Sequence, residues 1–356
     1  MAKVLMKGNE AIAEAAIQAG CRFFFGYPIT PQNQIPEYMA RRMPEVGGCF
    51  LQAESEIAAI NMVYGAAGSG ARAMTSSSSP GISLKQEGIS YIAGARLPCL
   101  IVNMVRGGPG LGSIQPSQSD YFQATRGGGH GDYRTVVLAP STLQEAVELT
   151  QEGFDIADQY RVPVMLLGDG MLGQMMEPVE FGTYTPRKLP EKTWATTGTR
   201  GARRPNIINS LYIEPEVLEK INEELQTTYR EIAANETRCA HHACDGAQVI
   251  VVAYGTTARI VRSAIDMLAQ ERGIRAGMVR PVTLWPFPEA AIAKVAAQPS
   301  VKAVLAVEMS AGQMVDDVRI AVNGAKPVHF YGRTGGVVPM PGEIAGVIAK
   351  LAGGDQ

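Results

Sequence analysis

The sequence has few cysteines, and none of them is grouped as an iron–sulfur cluster requires. The five cysteines among 356 residues include no C-x2-C-x2-C run that could hold iron. Cys21, Cys49 and Cys99 lie singly in or beside apolar, strand-like runs, where a small buried hydrophobic residue is expected. The sequence therefore excludes a chain that transfers electrons through clusters of its own.

Potential metal ligands are dense at one place only, the stretch that contains Cys239, His241, His242 and Cys244. Structural zinc sites usually take a second pair of ligands from a distant segment, and the sequence offers no such pair. We expect a solvated helix end or loop here and predict no metal ligand in the chain, with zinc as the alternative.

A strong charge imbalance and a long apolar run are also lacking. The formal charge is −2, which gives no basic surface for nucleic acid or anionic membranes. Residues 1–9 lack the apolar core of a signal peptide, and no run approaches the ~18 apolar residues of a membrane span. We expect a cytoplasmic protein with neither nucleic acid nor membrane as a partner.

The residues that are present favour two compact α/β domains. Hydrophobic residues make up 46% of the chain and charged residues 19%, and 356 residues exceed what one core usually serves. Helical periodicity alternates with short β-branched or aromatic runs, which is typical of parallel α/β units. We expect a first domain at 1–190 with helices on both faces of a parallel sheet, a linker with a charged helix at 191–244, and a smaller doubly wound domain at 245–356.

Four predicted strands of the first domain each run into an unusual loop. The loops are Tyr27–Pro31, Ala53–Glu56, Ser76–Gly81 and Arg106–Gly112. In an open parallel sheet, the loops after the carboxyl ends of the strands share one edge, where ligands bind. The sequence therefore predicts one site built from these four loops.

The Gly107–Gly112 segment also suggests a dinucleotide site, because it is glycine-rich and follows a strand. Proline at its third position and the lack of a suitably spaced acidic ribose partner weaken this reading. A nicotinamide dehydrogenase is kept as an alternative.

Three segments of the first domain resemble the pyrimidine-binding domain of the 2-oxoacid:ferredoxin oxidoreductases, that is, their alpha subunit. They are Gly26–Gln32, Gln52–Ala59 and Val105–Gly108. In the second domain, three further segments resemble the family's transketolase C-terminal-like domain: Tyr254–Ala258, Arg280–Pro288 and Glu308–Gln313. The resemblance covers nearly the whole chain. It implies a thiamine-diphosphate-binding fold followed by a smaller α/β domain.

The resemblance implies oxidative decarboxylation of a 2-oxoacid to acyl-coenzyme A and CO2, with reduction of ferredoxin. Segments at 6–10, 110–118 and 127–132 look most like the members that act on 3-methyl-2-oxobutanoate (2-ketoisovalerate). The alternative is the alpha subunit of a 2-oxoglutarate enzyme, which needs a second cation for the distal carboxylate. Arg126 and His130 are candidates for that cation. The non-enzyme alternative is a subunit that keeps the fold but serves only in assembly of the complex.

Five site residues follow from the resemblance. Glu56 matches the catalytic glutamate, whose carboxyl group activates the pyrimidine ring of the cofactor, and Pro28 and Ile29 are expected to contact the cofactor. Thr30 and Arg106 match the residues that bind the substrate, and a guanidinium group suits a carboxylate. Two of them have a simpler alternative, since Glu56 could merely start a helix and Thr30 could cap one.

The segment Gly168–Gly170 corresponds to the start of the magnesium and diphosphate motif of thiamine-diphosphate proteins, which continues to an asparagine. The window Thr193–Arg200 contains no asparagine, so we interpret Gly168–Gly170 as an ordinary turn. Thiamine diphosphate would then be shared with a beta subunit that carries Mg²⁺ and the diphosphate site. The [4Fe-4S] clusters would lie in a ferredoxin-like subunit, with a gamma subunit as a further candidate partner.

Overall fold

The computed structural model describes residues 3–353. The strands are β1 Val4–Lys7, β2 Phe23–Gly26, β3 Cys49–Gln52, β4 Ala73–Ser77, β5 Cys99–Val105, β6 Val136–Leu138, β7 Pro163–Asp169, β8 Met176–Val179, β9 Cys239–His242, β10 Val249–Val252, β11 Ala276–Pro281, β12 Thr283–Trp285, β13 Ala303–Glu308 and β14 Val328–Gly332.

The helices alternate with these strands along most of the chain. They are α1 Gly8–Gln18, α2 Gln34–Glu45, α3 Glu56–Gly68, α4 Ser79–Gly94, α5 Tyr121–Arg126, α6 Leu143–Tyr160, α7 Gly170–Gln174, α8 Pro215–Glu236, α9 Gly255–Arg272, α10 Glu289–Ala296, α11 Met314–Val322 and α12 Pro341–Ala352. Among the helices within residues 3–353, none combines the length and the apolar character that crossing a membrane demands.

The larger sheet has seven strands in the order β12-β6-β7-β5-β4-β2-β3. All neighbours are parallel except β12, which pairs with β6 in the antiparallel direction. Successive residues of a strand face opposite sides, and on β5 Leu100 and Val102 join one apolar core while Ile101 and Val105 join the other. The predicted parallel sheet with helices on both faces is therefore confirmed.

The smaller sheet has five strands in the order β14-β13-β10-β11-β9. Its four parallel strands confirm the predicted α/β character of the carboxyl-terminal part of the chain. Strand β12 belongs to the same stretch of sequence, yet it pairs with β6 of the larger sheet. The two sheets are therefore linked by strand pairing as well as by side-chain packing.

The expectation of a helix end or loop around Cys239 is wrong, because Cys239–His242 forms the edge strand β9, antiparallel to β11. The polar sequence gives no strand pattern, so only the available edge of β11 makes this segment extended. The His242 Nε2 atom lies 2.8 Å from Oδ1 of Asp266. Within residues 3–353, no three His, Cys, Asp or Glu side chains are grouped to hold a metal ion.

Candidate active site

The four unusual loops lie side by side, because β5, β4, β2 and β3 are adjacent and parallel. Hydrogen bonds join three of them. The Arg106 guanidinium donates through Nη1 to the Thr30 carbonyl at 2.9 Å, and the Ser79 hydroxyl donates to the Arg106 carbonyl at 3.3 Å. The structure thus brings the four loops together at one edge of the sheet, as the sequence predicts.

Glu56 is the first residue of α3 and is buried, with 6% of its surface exposed. The preceding Ser55 caps the helix, since its hydroxyl accepts a hydrogen bond from the Ala58 amide at 3.2 Å. Within the described part of the chain, no group donates a hydrogen bond to the Glu56 carboxylate. The residue is largely enclosed while its carboxylate oxygens are not sealed off by the chain, which leaves them available to a ligand and distinguishes Glu56 from a solvated residue at a helix start.

Gly81, in the first turn of α4, leaves the space in which the Glu56 carboxylate lies. A Cβ atom at this position would be 2.6 Å from the Glu56 Oε1 atom and 2.1 Å from the Ser77 hydroxyl oxygen. The Ser77 and Ser78 hydroxyls are buried and have no hydrogen-bond partner among residues 3–353. Buried polar atoms normally have partners, so these two hydroxyls mark an unusual polar spot at the end of β4.

Lys85 is a site residue that sequence reasoning missed. It lies one helical turn after Gly81, is 0% exposed, and donates through Nζ to the Thr75 hydroxyl at 2.7 Å and the Ser76 carbonyl at 3.0 Å. Burial lowers the pKa of Lys85 to about 7, although the nearby Glu56 carboxylate acts to raise it. The sequence pattern could have indicated that Lys85 is buried, because a lysine three residues after Ile82 lies on the apolar face of the helix.

Arg106 is 9% exposed and is held by two backbone carbonyls. Its Nη1 atom donates to Thr30 and its Nη2 atom to Leu111, the latter at 3.1 Å. Its Nε atom is buried and has no acceptor among residues 3–353. Because a guanidinium group has five N–H donors, Arg106 is fixed in place and still has donors for an anion.

The loop before α2 positions Thr30. Helix α2 begins at Gln34 with Asn33 at its N-cap position, so the alternative in which Thr30 caps this helix is wrong. The Thr30 side chain is exposed, and its hydroxyl has no hydrogen-bond partner in the described structure. Pro28 is exposed and Ile29 is half-buried in the same loop. All three are therefore accessible to a ligand at this edge.

The glycine-rich loop packs against the second half of the chain. A Cβ atom on Gly107 would lie 3.1 Å from the backbone of Gly335. A cavity of about 700 Å³ adjoins this contact and is lined by Ser79, Asp120, Gln313 and neighbouring residues. The next helix, α5, begins only at Tyr121, so no helix N-terminus follows the loop, and the dinucleotide alternative loses its physical basis.

Asp169 is buried at the end of β7 and serves as the N-cap of α7. Its Oδ1 atom accepts hydrogen bonds from the amides of Met171 at 2.9 Å and Leu172 at 3.1 Å. Burial raises the pKa of this carboxyl group. This geometry agrees with the interpretation of Gly168–Gly170 as a structural turn.

The two candidate cations for a distal carboxylate have other partners. Arg126 donates through Nη2 to the Asp317 carboxylate at 2.7 Å, and its guanidinium carbon lies 5.4 Å from the centre of the Phe122 ring. His130 packs edge-on against Tyr91, with 6.0 Å between the ring centres. Neither residue forms a hydrogen bond with Thr30 or Arg106, and the Arg126 guanidinium is already paired with Asp317.

Comparison with known proteins identifies the family. Residues 14–239 match the family described as "Pyruvate flavodoxin/ferredoxin oxidoreductase, thiamine diP-bdg". The chain belongs to this oxidoreductase family. Residues 247–344 match its companion, described as "Pyruvate:ferredoxin oxidoreductase core domain II". The chain is one subunit of a 2-oxoacid:ferredoxin oxidoreductase, an enzyme of several subunits.

Named relatives in the family span the chain almost completely. The ketoisovalerate oxidoreductase subunit VorB of Methanothermobacter thermautotrophicus is 47% identical, with 99% of each chain covered. The 2-oxoglutarate synthase subunit KorA of the same organism is 37% identical, with 97% of this chain and 98% of that one covered. Relatives named for two different 2-oxoacids thus share the whole architecture.

A solved family structure has the same fold. The 2-oxoglutarate:ferredoxin oxidoreductase of Magnetococcus marinus was determined with 2-oxoglutarate, coenzyme A and succinyl-CoA bound. It superposes with a TM-score of 0.86 at 27% identity over 98% of the present chain. The match covers 65% of that longer chain.

Proposed function

We propose that this chain is the pyrimidine-side subunit of an enzyme that oxidatively decarboxylates a branched-chain 2-oxoacid, 3-methyl-2-oxobutanoate. The products are acyl-coenzyme A and CO2, and ferredoxin is reduced. The observation that carries the proposal is the buried Glu56 carboxylate, which has no donor in the described chain and lies in the space that Gly81 leaves. The 47% sequence identity to a ketoisovalerate oxidoreductase subunit supports the choice of substrate.

The residues at this edge fit the pyrimidine half of thiamine diphosphate. When bound, the cofactor supplies a nucleophilic thiazolium carbon and a place for the electrons released by decarboxylation. The Glu56 carboxyl group would donate a hydrogen bond to a ring nitrogen and so move a proton toward the ring. Pro28 and Ile29 would contact the ring from the neighbouring loop.

The substrate carboxylate would bind to Arg106 and Thr30. The Arg106 Nε atom has no acceptor in the described chain, and the Thr30 hydroxyl is exposed and unpaired. Because two carbonyls already hold the guanidinium group, little conformational freedom is lost when it binds an anion. The pairing of Arg126 with Asp317 argues against 2-oxoglutarate, whose second carboxylate needs a cation of its own.

We further propose that partner subunits complete the enzyme. Asp169 caps α7, which supports a magnesium and diphosphate site on a beta subunit. The [4Fe-4S] clusters would lie in a ferredoxin-like subunit, with a gamma subunit as a further candidate, and coenzyme A would accept the acyl group. Leu51, Ile57 and Leu84 are exposed on the elements that carry the site, where a partner would cover them. The cytoplasmic location and the domain bounds 1–190, 191–244 and 245–356 stay predictions.

The test replaces Glu56 by Gln in the complex reconstituted from all subunits. Because the ring-activating proton transfer is lost, we expect 2-oxoacid-dependent ferredoxin reduction to fall by about 100-fold or more while the complex still assembles. The matched control is Glu54→Gln, since Glu54 is exposed two residues away. If the chain served only in assembly, the complex would keep its activity with either variant. That result would refute the proposal.

The substrate is tested on the same complex with a panel of 2-oxoacids and a low-potential electron acceptor. We expect 3-methyl-2-oxobutanoate to give a higher kcat/KM than 2-oxoglutarate by about tenfold or more, since an unpaired distal carboxylate is costly to bury. Preference for 2-oxoglutarate would establish the alternative instead.

A further inference from the structure

We propose that Lys85 is a positioning residue of this site, whose buried ammonium group balances the charge of Glu56 and fixes the end of β4. Its effect on catalysis rests on the function proposed above. Its electrostatic coupling to Glu56 does not, and can be measured without turnover.

The surroundings of Lys85 do not compensate its charge locally. The side chain is 0% exposed, and its two acceptors, the Thr75 hydroxyl and the Ser76 carbonyl, are both neutral. An ammonium group has three donors, and only two of them are used within the described chain. Burying a cation without a paired anion is expensive, so a lysine at this position needs a physical reason.

Glu56 supplies that reason. Its carboxylate contacts the position of the missing Gly81 side chain, one helical turn before Lys85, in the interface between α3 and α4. Burial favours the neutral form of Lys85, and the negative charge of Glu56 favours the charged form. The two groups therefore form a charge pair separated by the first turn of α4, with no direct hydrogen bond between them.

Other titratable groups near Lys85 are engaged elsewhere. On α4 and the elements packed against it, they are Glu87 and Tyr91 of α4, Tyr64 of α3, Cys99 of β5, Asp169 of β7, and Tyr121 and Arg126 of α5. The loops that contact α4 add Arg106, Asp120, His130 and Tyr133. Glu87 accepts a hydrogen bond from the Tyr91 hydroxyl at 2.5 Å. The Asp169 carboxylate accepts from two amides of α7. Burial raises the pKa of Cys99 to about 12, so this thiol stays neutral.

The pair has a consequence for how the site works. With a pKa of about 7, Lys85 changes its charge near neutral pH. Loss of its proton would remove the positive charge beside Glu56, and would weaken the hydrogen bonds to the Thr75 hydroxyl and the Ser76 carbonyl, next to the unpaired Ser77 hydroxyl. Lys85 thus sets the electrostatic environment of the Glu56 carboxylate.

The coupling is tested by NMR on the full-length chain with ¹³C-labelled lysine side chains, titrated with acid and base. Lys85→Met identifies the Lys85 signal by its absence. We expect a midpoint well below that of the other lysines, and in the Glu56→Gln chain a further decrease of about one pH unit, because the stabilising negative charge is gone. Glu54→Gln is the control and should leave the midpoint unchanged. An ordinary midpoint, or one that Glu56→Gln does not move, would overturn the charge pair.

The positioning role is tested in the assembled complex. We expect Lys85→Met to lower kcat by about tenfold or more and to shift the pH profile of kcat, with KM changed by less than about threefold. Lys302→Met is the control, because Lys302 donates to the Ala352 carbonyl in the other half of the chain. A Lys85→Met complex with the wild-type pH profile would refute the role, whereas a wild-type complex inactive on every 2-oxoacid would refute the proposed function instead.

Discussion

Gly81 and Glu56 approach so closely that a Cβ atom on the glycine would stand 2.6 Å from the Oε1 atom of the carboxylate. Gly81 lies in the first turn of α4 and Glu56 is the first residue of α3, so the starts of two packed helices meet at this point. The buried carboxylate therefore fits only because residue 81 has no side chain.

Gly81→Ala should impair the site while the fold is kept. Alanine favours a helix, but its methyl group would collide with the Ser77 hydroxyl and the Glu56 carboxylate. We expect kcat of the complex to fall by about tenfold or more, because displacement of a catalytic group is costly. Gly65→Ala is the control, since no atom lies within 4 Å of its added Cβ atom. Equal kcat values for the two variants would contradict this account of the site.

Arg106→Lys should weaken substrate binding although the positive charge is kept. Lysine cannot hold the Thr30 and Leu111 carbonyls and also present a planar pair of donors. Hydrogen bonds to charged groups contribute about 1.5–3 kcal/mol, so we expect kcat/KM for the 2-oxoacid to fall by about 10- to 100-fold. Steady-state kinetics of the complex measure this, with the exposed Arg319→Lys as control. An unchanged kcat/KM would show that Arg106 does not bind the carboxylate.

The stability of the wild-type chain relative to Lys85→Met should increase as the pH rises above 7. The pKa of Lys85 is lowered from 10.5 to about 7 in the folded chain, so between these values the unfolded chain binds a proton that the folded chain does not. Raising the pH removes that advantage of the unfolded state, which amounts to about 5 kcal/mol over the whole interval.

Urea unfolding of both chains at pH 6, 7.5 and 9 measures this difference. Below pH 7 the lysine is charged in both the folded and the unfolded chain, so the cost of burying the charge is fully present. The free energy of unfolding of the wild type should therefore be lowest relative to Lys85→Met at pH 6. A difference between the two chains that stays constant with pH would show that Lys85 keeps an ordinary pKa.

Gln118→Leu should destabilise the contact between the two halves of the chain. The buried Gln118 amide donates to the Tyr254 carbonyl at 2.9 Å, and its oxygen accepts from the Thr257 hydroxyl at 2.7 Å and the Met309 amide at 2.9 Å. Leucine would leave these buried groups unpaired, so we expect the free energy of unfolding to fall by about 2–5 kcal/mol. Gln18→Leu, at an exposed helix position, should change it little. Thermal and urea unfolding provide the comparison.

The sequence by itself predicted the elements whose patterns are local. The apolar pattern predicts a strand at Cys49–Gln52, helices at 55–68 and 81–95 and a strand at 98–105, and β3, α3, α4 and β5 lie within two residues of these bounds. Their apolar periods are strong because both sides of the larger sheet are buried. Since the loops after parallel strands must share an edge, the sequence also predicted that the loops carrying Thr30, Glu56 and Arg106 meet.

Tertiary structure decided the features whose cause lies far away in the chain. Strand β9 exists because β11 offers an edge, and β12 crosses to β6, although neither segment shows a strong strand pattern. The role of Thr30 was also decided by the structure, because a turn precedes α2 and its N-cap is Asn33 rather than Thr30. Lys85 becomes a partner of Glu56 only when α4 packs on α3, because burial and charge proximity depend on three-dimensional packing that no local pattern contains.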